Sequence, residues 1–245
     1  MTGTILNVVA ILLGSALGTF LGGRIPDKLK QTVVSGMGLF TFALGIQMFL
    51  KTGNALIVLG SLVIGALLGE WWKIEDLLSQ LGSWLEKRFN HANEEGEHST
   101  HQRERFIRGF LTASLVFVVG PVAILGAIQD GISGDYRLLA VKSVLDGFAS
   151  LAFSSSLGIG VAFSALPILV YQGAISLLAA QVQAITTPEM MNEMTATGGI
   201  LLMGIAVSGL LEIKKIRTGN FLPALILAPL IVALLSALGV QVSLP

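Results

Sequence analysis

The chain has 245 residues, of which 53% are hydrophobic and only 12% charged, and its mean hydropathy is +0.80. Soluble domains carry about a quarter charged residues, so this composition points to lipid as the solvent. Fifteen basic and fifteen acidic side chains cancel, which gives no global attraction to nucleic acid, and the absence of cysteine excludes disulfides, thiol nucleophiles and thiolate metal sites.

A bilayer-spanning helix needs about 20 mostly apolar residues. Runs of that kind occur at 4–22, 32–50, 54–72, 107–128, 138–157, 159–181, 195–211 and 221–242. The first lacks a basic leader and reads as a retained helix rather than a cleaved signal peptide. Gly14, Gly18 and Gly22 in the first run, and Gly65 and Gly69 in the third, have small-xxx-small spacing. That spacing permits close helix crossing, either inside the chain or in a homo-oligomer. Asn7, Gln47 and Gln172 are isolated polar points in apolar runs, suited to interhelical hydrogen bonds or to a ligand.

One long polar segment, 73–106, separates the third and fourth runs. Its first half spaces Ile74, Leu77, Leu78, Leu81, Trp84, Leu85 and Phe89 as one face of a helix. With Trp71 and Trp72 beside it, this reads as an amphipathic helix at the membrane interface. The second half, NHANEEGEHSTHQRER, has no apolar period and reads as a loop. Its His91, His98 and His101 stand among Glu94, Glu95 and Glu97, which are metal-ligand types. The segment lacks a scaffold, however, and a solvated charge run is the reading taken, so no metal is expected.

In the fourth run, Gly120–Pro121 falls in mid-helix, where proline removes a hydrogen bond, kinks the helix and frees a carbonyl. Gln129, Asp130 and Asp135 follow at its mouth, where they either attract cations or sit in a solvated turn with Gly131 and Gly134.

The fifth run, LLAVKSVLDGFASLAFSSS, carries Lys142 and Asp146 in its interior. Loop charge decides whether it spans, because cytoplasmic loops collect Lys and Arg. With eight spans, one face receives Arg24, Lys28, Lys30, Lys73, Lys87, Arg88, Arg103, Arg105, Arg108, Lys214, Lys215 and Arg217. The other face receives Lys51 and Arg137. Without the fifth span the Lys214–Arg217 cluster changes sides and the bias weakens. Eight spans, with both termini extracytoplasmic, are therefore expected.

Each charge at the bilayer centre costs about 2.5–3.5 kcal/mol on insertion scales. Lys142 and Asp146 are four residues apart and can neutralise each other on one helix face. They are either a coupling or substrate site, in which Asp146 takes a proton or cation and Lys142 supplies the competing charge, or a structural ion pair, or Lys142 snorkels towards the interface. Ser154, Ser155, Ser156, Gly158 and Gly160 then form a small, polar join. It suits either an unwound ligand-binding segment or close helix packing.

Two blocks share an order. Pro26, Gly36 and Thr52-Gly53-Asn54 recur as Pro188, Gly198 and Thr218-Gly219-Asn220. The blocks, about 4–72 and 159–242, are an odd number of spans apart and so have opposite orientation. Inverted repeats of this kind alternate access in secondary transporters. No P-loop, nucleophile elbow, HExxH or dinucleotide fingerprint occurs, so neither enzymatic chemistry nor a cofactor is expected.

The stretches GTILNVVAILLGSALGTFLGGRIP and VGPVAILGAIQDGISGDYRLLAVKSVLDGFASLAFSSSLGIGVAFSALPILVYQG, with the later TGG segment, resemble the bacterial family called domain of unknown function 554. The resemblance covers nearly the whole chain and is weakest at the histidine-bearing segment. It implies a multi-pass bacterial cytoplasmic membrane protein, loosely described as a possible transporter, and assigns no residue a role.

The expectation is therefore an all-α polytopic membrane protein, one membrane domain over 1–245 with about eight transmembrane helices. An inverted three-helix repeat is joined through spans 107–157, and 73–106 is cytoplasmic. The expected function is a secondary transporter or permease for a small solute or ion in the inner membrane. Candidate site residues are Lys142, Asp146, Ser154, Ser155, Ser156, Gly158, Gly120, Pro121 and Asp130. A passive channel, and a structural or regulatory membrane protein without flux, are the alternatives.

Overall fold

A computed structural model describes residues 1–89, 97–240 and 242. Every regular element among them is helical. The helices are α1 (Thr2–Gly22), α2 (Asp27–Phe49), α3 (Ala55–Trp71), α4 (Ile74–Phe89), α5 (Glu97–Val118), α6 (Pro121–Ser133), α7 (Arg137–Leu157), α8 (Ala165–Leu177), α9 (Ala179–Ile185), α10 (Pro188–Ile205) and α11 (Pro223–Ala237). Among the described residues, six helical stretches are long and apolar enough to cross a membrane, or up to eight if each of two bent pairs counts as one span. The fifth apolar run is among the six, as the 21-residue α7.

Breaks fall where the backbone needs glycine or lacks a donor. The fourth run is two helices bent by 63°. Gly120 adopts φ +144° at the break, a conformation closed to L side chains, and Pro121 occupies the first position of α6, where its missing N–H is no loss. The mid-helix kink with a freed carbonyl is thereby corrected: proline here starts a helix instead of interrupting one. The 3₁₀ turn Ile159–Ser164 follows Gly158 at φ +84°, and a π-helical turn, Ala206–Leu210, ends the seventh run.

The chain divides into two compact units, interleaved along the sequence. The first comprises Met1–Met37, Leu77–Val118 and Val122–Ala180, and the second comprises Gly38–Asp76, Val119–Pro121 and Gln181–Pro245.

In the first unit α1 and α7 run parallel with their backbones in contact. A methyl group at Gly14, Gly18 or Gly22 would collide with the carbonyl oxygen of Gly147, Leu151 or Ser155 respectively. The three glycines are thus consumed inside the chain. The α4 helix also packs here: Leu85 joins Phe106 and Phe110 of α5 in a buried cluster, while Leu77, Leu81 and Trp84 stay exposed. That division into two apolar faces fits a helix lying at a membrane interface. The charged segment expected to be a loop is helical from Glu97 onward, because its Glu, Gln and Arg residues are good helix formers and continue the apolar α5. His91, Glu94 and Glu95 lie outside the described residues.

In the second unit α3 and α11 are antiparallel. Gly65 lies against Ala224, Gly69 against Asn220, and Asn54 near the start of α3 donates to the Val242 carbonyl at 3.0 Å. The α2 and α10 helices are antiparallel too, with Gly45 against Gly199 and Gly38 against Leu211. These directions are those that spans one and five, three and eight, and two and seven of an alternating series require.

Candidate functional site

The α7 helix carries Lys142 and Asp146 one turn apart, which puts both on the face turned towards α1. They form an ion pair, 7% and 8% exposed. Charge this deep needs more than its partner, and α1 supplies it: Asn7 Nδ2 donates to Asp146 Oδ2 at 3.0 Å and to Gln172 Oε1 of α8 at 3.3 Å. The ammonium of Lys142 also lies 5.9 Å from the centroid of the Phe117 ring, on α5. The pair thus draws a hydrogen bond from α1, which α8 joins through Gln172, and a ring face from α5.

The polar groups around it are not fully matched. Asn7 Oδ1, Gln172 Nε2, Thr4 Oγ1 and Ser176 Oγ are buried with no hydrogen-bond partner in the protein. An unmatched buried polar atom costs about 1–3 kcal/mol, and Asn7 and Gln172, bonded to each other, each keep one. Sequence reading took Asn7 and Gln172 as separate interhelical contacts. Nothing in the sequence says that α1 and α8 bring them to each other, with Asn7 on Asp146.

Other candidates stand elsewhere. Asp130 is not in a solvated turn. It is 3% exposed on α6, where it accepts from the Gly3 amide at 2.9 Å and pairs with the Met1 amine at 3.2 Å. The turn reading holds for Asp135, which is exposed and accepts from the Arg137 amide at 3.1 Å.

Of the two readings of the serine join, close helix packing fits the three serines. Ser154, Ser155 and Ser156 are in the last turn of α7, with the break after them at Gly158. Ser154 Oγ donates to the Ser15 and Ser150 carbonyls, and Ser155 Oγ to Ala152. Ser156 offers its carbonyl to Arg105 Nε at 2.9 Å. Hydroxyls engaged with backbone in this way serve helix packing. Gly120 and Pro121 shape the α5–α6 break, away from the charge pair in sequence.

The second unit holds a constellation that sequence reading missed. Glu193, near the start of α10, is 1% exposed. The first TGN turn wraps its carboxylate: Thr52 Oγ1 donates at 2.7 Å, the Gly53 amide at 2.7 Å and the Asn54 amide at 3.0 Å. Asn54 also caps α3 by accepting from the Leu56 amide. The second TGN turn is bound by carboxylates in the same style. Gly219 donates to Glu75 at 2.7 Å, Asn220 donates to Glu70, and the Glu75 amide donates back to Asn220 Oδ1 at 2.8 Å. Arg217 bridges Glu70 at 2.6 Å and Asp76 at 2.5 Å. Burial raises the Glu75 carboxyl above its ordinary pKa, against the Gly219 amide and the Arg217 charge, which lower it. The available signal for Glu193 was the donor-rich TGN sequence, which implies an acceptor. Its position at the edge of an apolar run reads as a solvated first turn.

A helical chain with six to eight candidate spans and a buried charge pair inside one of them is a polytopic membrane protein. It belongs to the family described as protein of unknown function DUF554, whose pattern matches residues 2–233. It is similar to the uncharacterized protein YqgA of Escherichia coli (strain K12), 33% identical over 228 residues that cover 92% of this chain and 94% of that protein. It is also similar to the uncharacterized membrane protein YdfK of Bacillus subtilis (strain 168), 32% identical over 245 residues, 98% of this chain and 100% of that protein. No solved structure matches the chain.

Proposed function

We propose that the protein is a secondary transporter or permease, without enzymatic activity, that moves a small solute or ion across the bacterial cytoplasmic membrane. The observation that carries this reading is the Lys142–Asp146 pair, enclosed by α1, α5, α7 and α8 and flanked by unmatched polar atoms of Asn7 and Gln172. Ionisable residues inside a span are retained at a cost, and a pathway for ions or solutes is the usual reason. A proton or cation exchanging at Asp146 would supply the coupling.

The two TGN turns support an inverted repeat. Each precedes a helix of an antiparallel pair, α3 and α11, so the turns lie towards opposite ends of that pair. The second block needs twenty positions from its glycine, Gly198, to Thr218, against sixteen from Gly36 to Thr52. The π-helical turn and the segment 211–217 occupy that added length. Loop charge supports extracytoplasmic termini.

The test is uptake by proteoliposomes, screened over small solutes and ions with and without an imposed proton gradient. Asp146→Ala should abolish the flux found for the wild type. Undiminished uptake by that variant removes the pair from the pathway, and discrete single-channel currents in planar bilayers would make the protein a channel.

A further inference from the structure

We propose that Asp146, Asn7, Thr4 and Gln172 form a site for one monovalent metal cation of the sodium class, and that the Lys142 ammonium is its tethered competitor. This deepens the transport reading above, on which it rests, by naming the ion. The oxygens are of the right kind: one carboxylate, two amide carbonyls and one hydroxyl, the hard neutral-plus-anionic set that alkali cations prefer. Two of them, Asn7 Oδ1 and Thr4 Oγ1, are fully buried and unmatched, and they lie one turn apart on the same face of α1. Asn7 directs its amide nitrogen at Asp146, a donor facing an acceptor. A half-turn of that amide presents Oδ1 to the same place.

Charge sets the valence. With Asp146 and the Lys142 ammonium both present, a monovalent ion adds one net positive charge to this buried place, whereas a divalent ion would add two at a larger desolvation cost. The unit's other buried carboxylate, Asp130, is held through Oδ2 by the Gly3 amide and the Met1 amine, while its Oδ1 is buried without a partner. Transition metals lack their ligands: among the described residues no three His, Cys, Asp or Glu side chains gather. When the cation binds, Lys142 must leave Asp146, and the Phe117 ring face beside it offers a cation–π station. Ammonium and metal ion thus alternate on one carboxylate.

The measurement is thermal unfolding of the detergent-solubilised protein in sodium, lithium, potassium or choline chloride at equal ionic strength. Sodium should raise the midpoint in a saturable way that choline does not reproduce. Lys142→Gln, which removes the competitor, should lower the half-saturating sodium concentration about tenfold, or about 1.4 kcal/mol. The double variant Asp146→Asn/Lys142→Gln, neutral and folded, should show no sodium response. Equal midpoints in all four salts for wild type and Lys142→Gln overturn the proposal. If Lys142→Gln does not fold, Lys142→Arg is used: its fork grips the carboxylate in two places and should raise the half-saturating concentration, and an unchanged value overturns the competition. Sodium stabilisation without solute flux would keep the site and remove the transporter. Flux without any ion response would remove the site alone.

Discussion

At the scale of single residues, the molecule turns on where carboxylates find donors. Asp146 is served by an ammonium and an amide, and Glu193 by a hydroxyl and two backbone amides. Removing one member of a buried pair leaves the other charge uncompensated, a loss of about 3–5 kcal/mol. Lys142→Ala in sodium-free buffer should therefore unfold at a markedly lower temperature than Lys142→Ala/Asp146→Ala, although the double variant changes more atoms. Equal midpoints for the two would mean that the pair is not shielded from water. Glu193→Ala strips the acceptor from Thr52, Gly53 and Asn54. Hydrogen bonds to charged groups contribute about 1.5–3 kcal/mol, so the loss should exceed 2 kcal/mol, with Glu193→Gln intermediate because one carbonyl oxygen remains. Lys142 and Asp146 were legible from their place inside an apolar run. Glu193 was not, because its environment is made by a turn some 140 positions earlier.

Among elements, glycine separates contact from mere spacing. Gly14, Gly18 and Gly22 fit a motif that serves dimers as well as internal packing, and only the α1–α7 interface shows which partner they have. Gly14→Ala should cost about 1–3 kcal/mol through overpacking, seen as a lowered unfolding midpoint or lost folded yield. Gly36→Ala and Gly60→Ala, with open space at both positions, should be neutral or slightly stabilising, since alanine is the better helix former. A Gly14→Ala variant as stable as those controls would show that the two helices can part freely. The bend at Gly120 was legible as a disturbance of the fourth run. Its form, a full stop and restart, depends on a positive φ that no spacing rule reports.

For the whole chain, topology is the open measurement, and the absence of native cysteine makes it direct. Single cysteines at Lys51→Cys and Ser133→Cys should react with a membrane-impermeant maleimide on intact cells. Lys215→Cys should react only after permeabilisation. Labelling of all three from one side would remove α7 as a span, and with it the opposite orientation of the two blocks.

Apolar length decided the class of protein and its long apolar helices, because a bilayer admits backbone only when helical hydrogen bonding is complete, and that demand is written locally in the sequence. Tertiary structure alone decided the company of Asp146 and the enclosure of Glu193. Those contacts join residues more than 130 positions apart, and such separations are set by which helices pack together, a choice that no local pattern encodes.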